Sequence, residues 1–358
     1  METRIIVLDD FKKNGIISEN DLVKIGEAAA VLRNGGLVAF PTETVYGLGG
    51  DARTESASER IYAAKGRPSD NPLIVHISKK DEIYPLIKGA TAMGEALMDT
   101  YWPGPLTLVF PKSDVIPKTT TGGLDTVAVR CPEHPVANKL IELAGVPVAA
   151  PSANRSGRPS TTRAEHCIED LMGRVDVILD GGPCEIGVES TIVDLTGETP
   201  MLLRPGAVTA EMIKETIGLD PVKDKALTGP LKEGERPKAP GMKYRHYAPK
   251  APLVLVTGEK RAVWDKIREM SLERENAEII CSRECAEYLE DTGKKIRVLG
   301  AYGNEDEIAR SLFAVLRETD SDEIDMIIAE GFSENDLGLA IMNRLKKAAG
   351  WTIIKASS

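Results

Sequence analysis

A chain of 358 residues exceeds one average domain and implies two or three. Its 42% hydrophobic and 28% charged residues are an ordinary globular composition, and no apolar run is long enough to span a membrane. A formal net charge of -10 and only 4% aromatics weigh against a broad phosphate-backbone footprint and against a ring-lined platform for single strands.

In chain order, Ile5 to Leu8 reads as a short strand, and Asp21 to Arg33 as a helix with Leu22, Ile25, Ala29 and Leu32 at helical spacing and Asn34-Gly35-Gly36 as its stop. Leu37 to Phe40 is an apolar strand ended by Pro41, and it delivers Thr42, Glu43, Thr44, Tyr46 and three glycines to its tip. A helix-like segment leads to Lys65-Gly66-Arg67-Pro68-Ser69-Asp70-Asn71-Pro72, and Leu73 to Ile77 is the next strand. Arginine offers a planar fork and lysine a point charge, so this proline-framed turn suits phosphate oxygens, although no Walker loop occurs.

Asp81 to Thr100 reads as one or two helices, and Leu106 to Phe110 and Thr126 to Arg130 as strands. Alternation puts Thr126, Ala128 and Arg130 on one face, where an inward arginine needs a partner. Pro135 to Leu143 is helical, and Val146 to Ala150 is a strand that feeds the loop Pro151 to Ser160. Val175 to Asp180 and Glu189 to Asp194 read as further strands, followed by Leu202-Leu203-Arg204-Pro205-Gly206 and a helix over Thr209 to Ile217. Four loops with hydroxyls, cations or amides thus sit at strand ends, the usual address of a ligand site in α/β sheets. Glu43 and Glu189, the acids inside these motifs, are expected to be structural acceptors.

Residues 222 to 250 carry eight Lys or Arg against three Asp or Glu, a net +5, with four prolines and three glycines. This reads as an extended linker without packing, and Tyr244, His246 and Tyr247 within it read as parts of a lid over a ligand. From Leu253 strands and helices alternate, as in a small Rossmann-like parallel sheet. The five cysteines, an odd number with no signal peptide ahead of them, read as reduced thiols of a cytoplasmic protein. Cys281 and Cys285 lack a second cysteine pair, so no metal site is expected.

PTETVYGLG, KGRPSDNPL, WPGPLTLV, GGLDTVAVR, APSANRSGRPS, ESTIVD and LRPGA, in this order, resemble the Sua5/YrdC/YciO family. The basic linker and the added domain resemble its two-domain Sua5 branch. The resemblance implies an α/β fold: a YrdC-like twisted mixed sheet with helices over residues 1–220, the linker over 221–250, and a Rossmann-like α/β/α domain over 251–358. It implies threonylcarbamoyl-AMP synthesis from L-threonine, bicarbonate and ATP with Mg2+, the product passing to a separate tRNA threonylcarbamoyl transferase.

Carried over by residue, Lys65, Arg67 and Asn71 fall at the ATP phosphates, with Lys65 and Arg67 as the catalytic cations. Thr126, Ser152, Ser160 and Arg204 fall at the nucleotide, joined by the linker residues Tyr244, His246 and Tyr247. Thr44, His76, Arg130, Ala150 and Ser190 fall at L-threonine. Pro68 stands where some members carry a hydroxyl after the motif arginine. A double-stranded RNA-binding module without ATP turnover is the alternative, and contact with tRNA would be indirect.

Overall fold

A computed structural model describes residues 2–229, 237–240, 242, 247–319 and 323–357. The chain forms two compact units, one of residues 1–156, 160–185 and 189–243, the other of residues 157–159, 186–188 and 244–358.

The first unit is built on strands β1 (Arg4–Val7), β2 (Val38–Phe40), β3 (Gly47–Asp51), β4 (Ile74–His76), β5 (Leu106–Pro111), β6 (Thr126–Arg130), β7 (Val148–Ala149), β8 (Val177–Asp180), β9 (Thr191–Asp194), β10 (Met201–Arg204) and β11 (Val222–Lys223). They form one mixed sheet in the order β1-β8-β2-β3-β7-β4-β6-β5-β9-β10-β11. Helix Glu19–Arg33 starts where Ser18 Oγ accepts the Asp21 N–H at 3.1 Å. Helix Pro135–Ala144 has proline in its first turn and stops at Gly145 with φ 64°. Their apolar stripes, Ile25, Ala28, Ala29 and Leu32 against Val136, Leu140 and Ile141, share a core with Ile6, Val38, Phe40, Val148 and Leu179. Burying each large side chain there stabilises the fold by about 1.5–3 kcal/mol.

Several elements of this unit escape the sequence reading, among them helix Asp9–Asn14 and the following two. The glycine-rich stretch after Phe40 is strand β3, held between β2 and β7. Its composition suggests a turn, but a Cβ on Gly49 would sit 2.7 Å from Val148 Cγ1 and 2.8 Å from Phe40 Cε1, so packing demands glycine at that position of the strand. Helix Ala164–Leu171 begins at Arg163 with no side-chain cap, which removes the usual start signal.

The expectation of an unpacked linker is corrected for its described residues. Val222–Lys223 pairs with β10, and Ala226, Ala239 and Met242 are buried with Ile74, Val109, Ala128, Ile192 and Leu203. Isolated small apolar residues between prolines give no period to read, yet each finds the sheet face. Met242→Ala is therefore expected to lower stability by about 2 kcal/mol, the low end for a buried methionine. Urea unfolding reads this, and a change below about 0.5 kcal/mol, the size usual for surface substitutions, would return the segment to a solvated tether.

The second unit carries strands β12 (Leu253–Thr257), β13 (Ala277–Cys281), β14 (Lys295–Val298), β15 (Met326–Glu330) and β16 (Ile353–Lys355). All pair in parallel, in the order β14-β13-β15-β12-β16, with helices Lys260–Leu272, Arg283–Tyr288, Glu305–Glu318 and Asp336–Ala348 between them. This is the expected Rossmann-like arrangement. The short helix Arg283–Tyr288 and the edge strand β16 were not anticipated, since six and three residues are too few for a period.

Candidate functional site

Sheet register builds the first half of the site. β4 and β6 run parallel with His76 opposite Arg130, and β5 runs antiparallel to β6 with Thr107 opposite Arg130. Three adjacent strands therefore carry His76, Arg130 and Thr107 in one row. Arg130 is 3% exposed and meets three partners: Glu43 Oε1 at 2.7 Å, the Thr44 hydroxyl at 2.9 Å and the Gly104 carbonyl at 3.3 Å. The turn after β2 is pinned in turn, because Thr42 Oγ1 lies 2.9 Å from Thr44 Oγ1 and donates to the Val45 carbonyl at 2.6 Å.

Burial works against a charged Glu43, but the Arg130 charge and hydrogen bond hold its carboxyl below the usual range. Its Oε1 also accepts the Glu133 N–H at 3.2 Å, while Oε2 is buried without a hydrogen-bond partner among the described residues. On the far side of Thr107, Ser190 Oγ lies 2.8 Å from Thr107 Oγ1 and accepts from Arg204 Nη2 at 3.1 Å. Arg204 Nε donates to the Ser190 carbonyl at 2.9 Å. Ala150 is buried and donates its N–H to the Ile74 carbonyl at 2.8 Å, which places it two residues along β4 from His76.

The second half is a set of loops tied by cations. Lys65 ends helix Glu55–Lys65, and its ammonium donates to the carbonyls of Ser152 and Asn154, fixing the loop after β7. Ser152 is itself bridged to Gly47. Arg67 folds back on its own turn, donating to the carbonyls of Asn71 at 3.2 Å and Pro72 at 3.1 Å. Asn71 is 1% exposed, and its side-chain oxygen has no hydrogen-bond partner among the described residues. Gly122, at φ 60°, lies so close to this turn that a Cβ would be 2.9 Å from the Asp70 carbonyl. Ser160 donates to Glu189 at 2.6 Å, so both motif acids are acceptors.

Of the residues expected at L-threonine, Thr44, His76, Arg130, Ala150 and Ser190 all lie on or beside one row of the sheet. Thr107 joins them unannounced, because one hydroxyl in an apolar strand gives no signal by itself. Of the residues expected at the nucleotide, Lys65 and Ser152 meet directly, Arg67 and Asn71 share a turn, and Arg204 reaches Ser190. Thr126 stands half-buried at the other end of β6, four residues and about 13 Å along the strand from Arg130. Tyr244 and His246 lie outside the described residues. Tyr247 is 5% exposed in the second unit, its ring centroid 5.0 Å from that of Phe313.

Burial, helped by the Arg130 charge, lowers the His76 pKa to about 3, so the imidazole is neutral at physiological pH. An unfolded chain binds this proton near pH 6.5 and the native state does not, so stability from this group is complete above 6.5 and is lost as pH falls toward 3. Urea midpoints are expected to drop between pH 7 and 5, and His76→Gln is expected to flatten that slope. An identical slope in the variant would mean that other groups carry the acid sensitivity.

Among the described residues no helix is long and apolar enough to cross a membrane. Residues 30–206 match the family profile described as "Telomere recombination", and residues 208–350 match "Threonylcarbamoyl-AMP synthase, C-terminal domain". The chain is similar to the threonylcarbamoyl-AMP synthase of Pyrococcus abyssi, with 49% identity over 93% of this chain and 96% of the relative. It is likewise similar to that of Bacillus subtilis, with 45% identity over 95% and 96%. The crystal structure of P. abyssi Sua5 complexed with L-threonine superposes with a TM-score of 0.89 at 46% identity, covering 100% of both chains. Matched along both units, the chain belongs to the Sua5/YrdC/YciO family, in its two-domain Sua5 branch.

Proposed function

We infer that this chain is a threonylcarbamoyl-AMP synthase, joining L-threonine, bicarbonate and ATP into L-threonylcarbamoyladenylate with release of pyrophosphate. The observation that carries the reading is the buried Arg130, held at mid-sheet by Glu43, Thr44 and Gly104 beside the hydroxyls of Thr107 and Ser190. A guanidinium fixed in a dry row of small hydroxyls fits an amino-acid carboxylate. The Sua5 relative solved with L-threonine and the curated synthases support the same substrate. A double-stranded RNA-binding module is not favoured, since these relatives are named as enzymes.

The chemistry asks for placement and charge neutralisation. The threonine amine condenses with bicarbonate to give a carbamate and water, and a carbamate oxygen then attacks the α-phosphorus as the bond to pyrophosphate breaks. No protein nucleophile is needed, and the gain comes from aligning two anions. In this reading Arg130 and Ser190 hold the threonine carboxylate, while Thr44 and the neutral His76 meet the amine or hydroxyl end. Lys65, Arg67 and Asn71 face the triphosphate, with Thr126, Ser152, Ser160 and Arg204 about the nucleotide. Magnesium bound with ATP would help neutralise the phosphates; Glu43 and Glu189 are engaged with Arg130 and Ser160, so the ion would be held mainly by the nucleotide. The adenylate is activated for transfer to the adenosine at tRNA position 37 by a separate transferase.

Pyrophosphate release is expected to require all three substrates, each omission returning it to background. A pocket that pairs the substrate hydroxyl is also expected to reject 2-aminobutyrate. Release without threonine would remove the synthase reading, and equal use of 2-aminobutyrate would remove the hydroxyl contact.

A further inference from the structure

In the second unit, Cys281, Cys285 and Glu330 place two Sγ atoms and a carboxylate oxygen within 4.8 Å of one another, the one group of three such ligands among the described residues. All three side chains are buried, at 0%, 0% and 1% exposure. Their meeting follows from the topology. Cys281 ends β13 and Glu330 ends β15, its neighbour in the sheet. The chain leaves β13 toward β14 on one side and leaves β15 toward β16 on the other. Adjacent strands whose connections diverge open a crevice at their carboxyl ends, and this is the ligand position of doubly wound sheets. Cys285 is brought to it by helix Arg283–Tyr288, where Ser282 Oγ accepts the Cys285 N–H at 3.4 Å.

The acid is oriented from behind. Glu330 Oε1 accepts the Trp264 indole N–H at 2.6 Å and Oε2 accepts the Ser282 N–H at 2.6 Å, and a carboxylate oxygen has a further lone pair to give. Such outer donors are how proteins orient carboxylate ligands of metals. Two thiols and an acid thus meet at a largely apolar cluster, with the Lys260 ammonium, over the Trp264 ring, as the nearby positive charge.

We propose that Cys281, Cys285 and Glu330 bind a thiophilic divalent cation of the zinc(II) class, which ties the ends of β13 and β15 to the helix between β13 and β14. Zinc takes thiolate at about 2.3 Å and carboxylate oxygen at about 2.0–2.2 Å, which sets donors roughly 3.5–3.8 Å apart in a tetrahedron. The present atoms lie within 4.8 Å of one another, so closing on an ion requires them to draw together by about 1 Å. Two sulfur ligands select against magnesium and calcium, and three protein ligands leave one position for water or another small donor. Binding converts two thiols to thiolates and releases two protons. Because both sulfurs must give up a proton to bind, metal uptake must weaken as pH falls. The sequence reading expected no metal here because it counted cysteine pairs; the third ligand lies far along the chain, on a strand that only the fold brings alongside.

The test uses the full chain, reduced and stripped with a chelator. Dialysis against zinc(II) is expected to leave one zinc per chain by elemental analysis, and cobalt(II) is expected to give a thiolate-to-cobalt charge-transfer band. Zinc is expected to shift Trp264 emission, since the indole touches Glu330. Cys281→Ser and Cys285→Ser are expected to lose the band, and Glu330→Gln to weaken zinc binding at least tenfold. Circular dichroism checks that the variants fold, and the cobalt band of the unaltered protein stands without them. Absence of the band together with substoichiometric zinc would overturn the site, as would full zinc retention in the double cysteine variant. Closure of the two cysteines into a disulfide in the presence of zinc, read as a loss of two hydrogens by mass, would also overturn it.

Discussion

Arg130→Ala is expected to abolish threonine-dependent pyrophosphate release while leaving ATP binding in calorimetry within about threefold. Two effects combine. The substrate carboxylate loses a fork of two charge-assisted hydrogen bonds, each worth about 1.5–3 kcal/mol, so kcat/KM for threonine should fall by at least about a hundredfold. The protein also loses the partner of Glu43, a carboxylate 5% exposed and paired with Arg130 at 2.7 Å. Removing one member of a buried pair leaves an uncompensated charge and costs about 3–5 kcal/mol. Loss of activity could therefore reflect loss of fold. Arg130→Ala combined with Glu43→Gln separates the two, since it removes both charges and should recover most of the stability but none of the threonine dependence. Arg130→Lys keeps the charge without the fork and should fall between. A double variant that used threonine with unchanged kcat/KM would take Arg130 out of the substrate site and leave it a structural pair.

The same residue marks how far the sequence could be read. An arginine ending Thr-Val-Ala-Val-Arg in a buried strand announces that it needs a partner, and alternation gives its face. Nothing local names Glu43 and Thr44 as the partners, because they lie in a turn that reaches Arg130 only once β4 and β6 pair. The long periodic elements were legible for the same reason that they are stable: helix 19–33 and strand 106–111 bury a regular set of side chains. Elements defined by what they lack were not legible. β3 carries glycine at position 49 because Val148 and Phe40 leave no room there for a side chain, and the residues around Met242 pack although their composition promises freedom. Lys65 was read as a phosphate ligand from its charge and from the family pattern, yet its ammonium is also the clamp on the carbonyls of Ser152 and Asn154, a contact that needs the fold to form.

That dual use of cations makes Arg67→Ala the sharper probe of the nucleotide side. Arg67 donates to the Asn71 and Pro72 carbonyls, so it shapes the turn that it occupies as well as bringing a positive charge to it. Losing a charge-assisted contact to a phosphate costs about 1.5–3 kcal/mol, so ATP affinity should drop at least tenfold, with threonine affinity nearly unchanged. Shape alone could produce part of that drop, and Gly122→Ala tests it. Gly122 sits at φ 60° with the Asp70 carbonyl 2.9 Å from where its Cβ would be, so the variant must displace the turn while Arg67 stays. If Arg67 acts through its charge, Arg67→Ala should flatten the salt dependence of ATP binding, whereas Gly122→Ala should weaken binding and keep that dependence. Unchanged ATP affinity in Arg67→Ala would remove it from the triphosphate. Equal loss in both variants with an unaltered salt slope would make it a brace for the Asn71 turn.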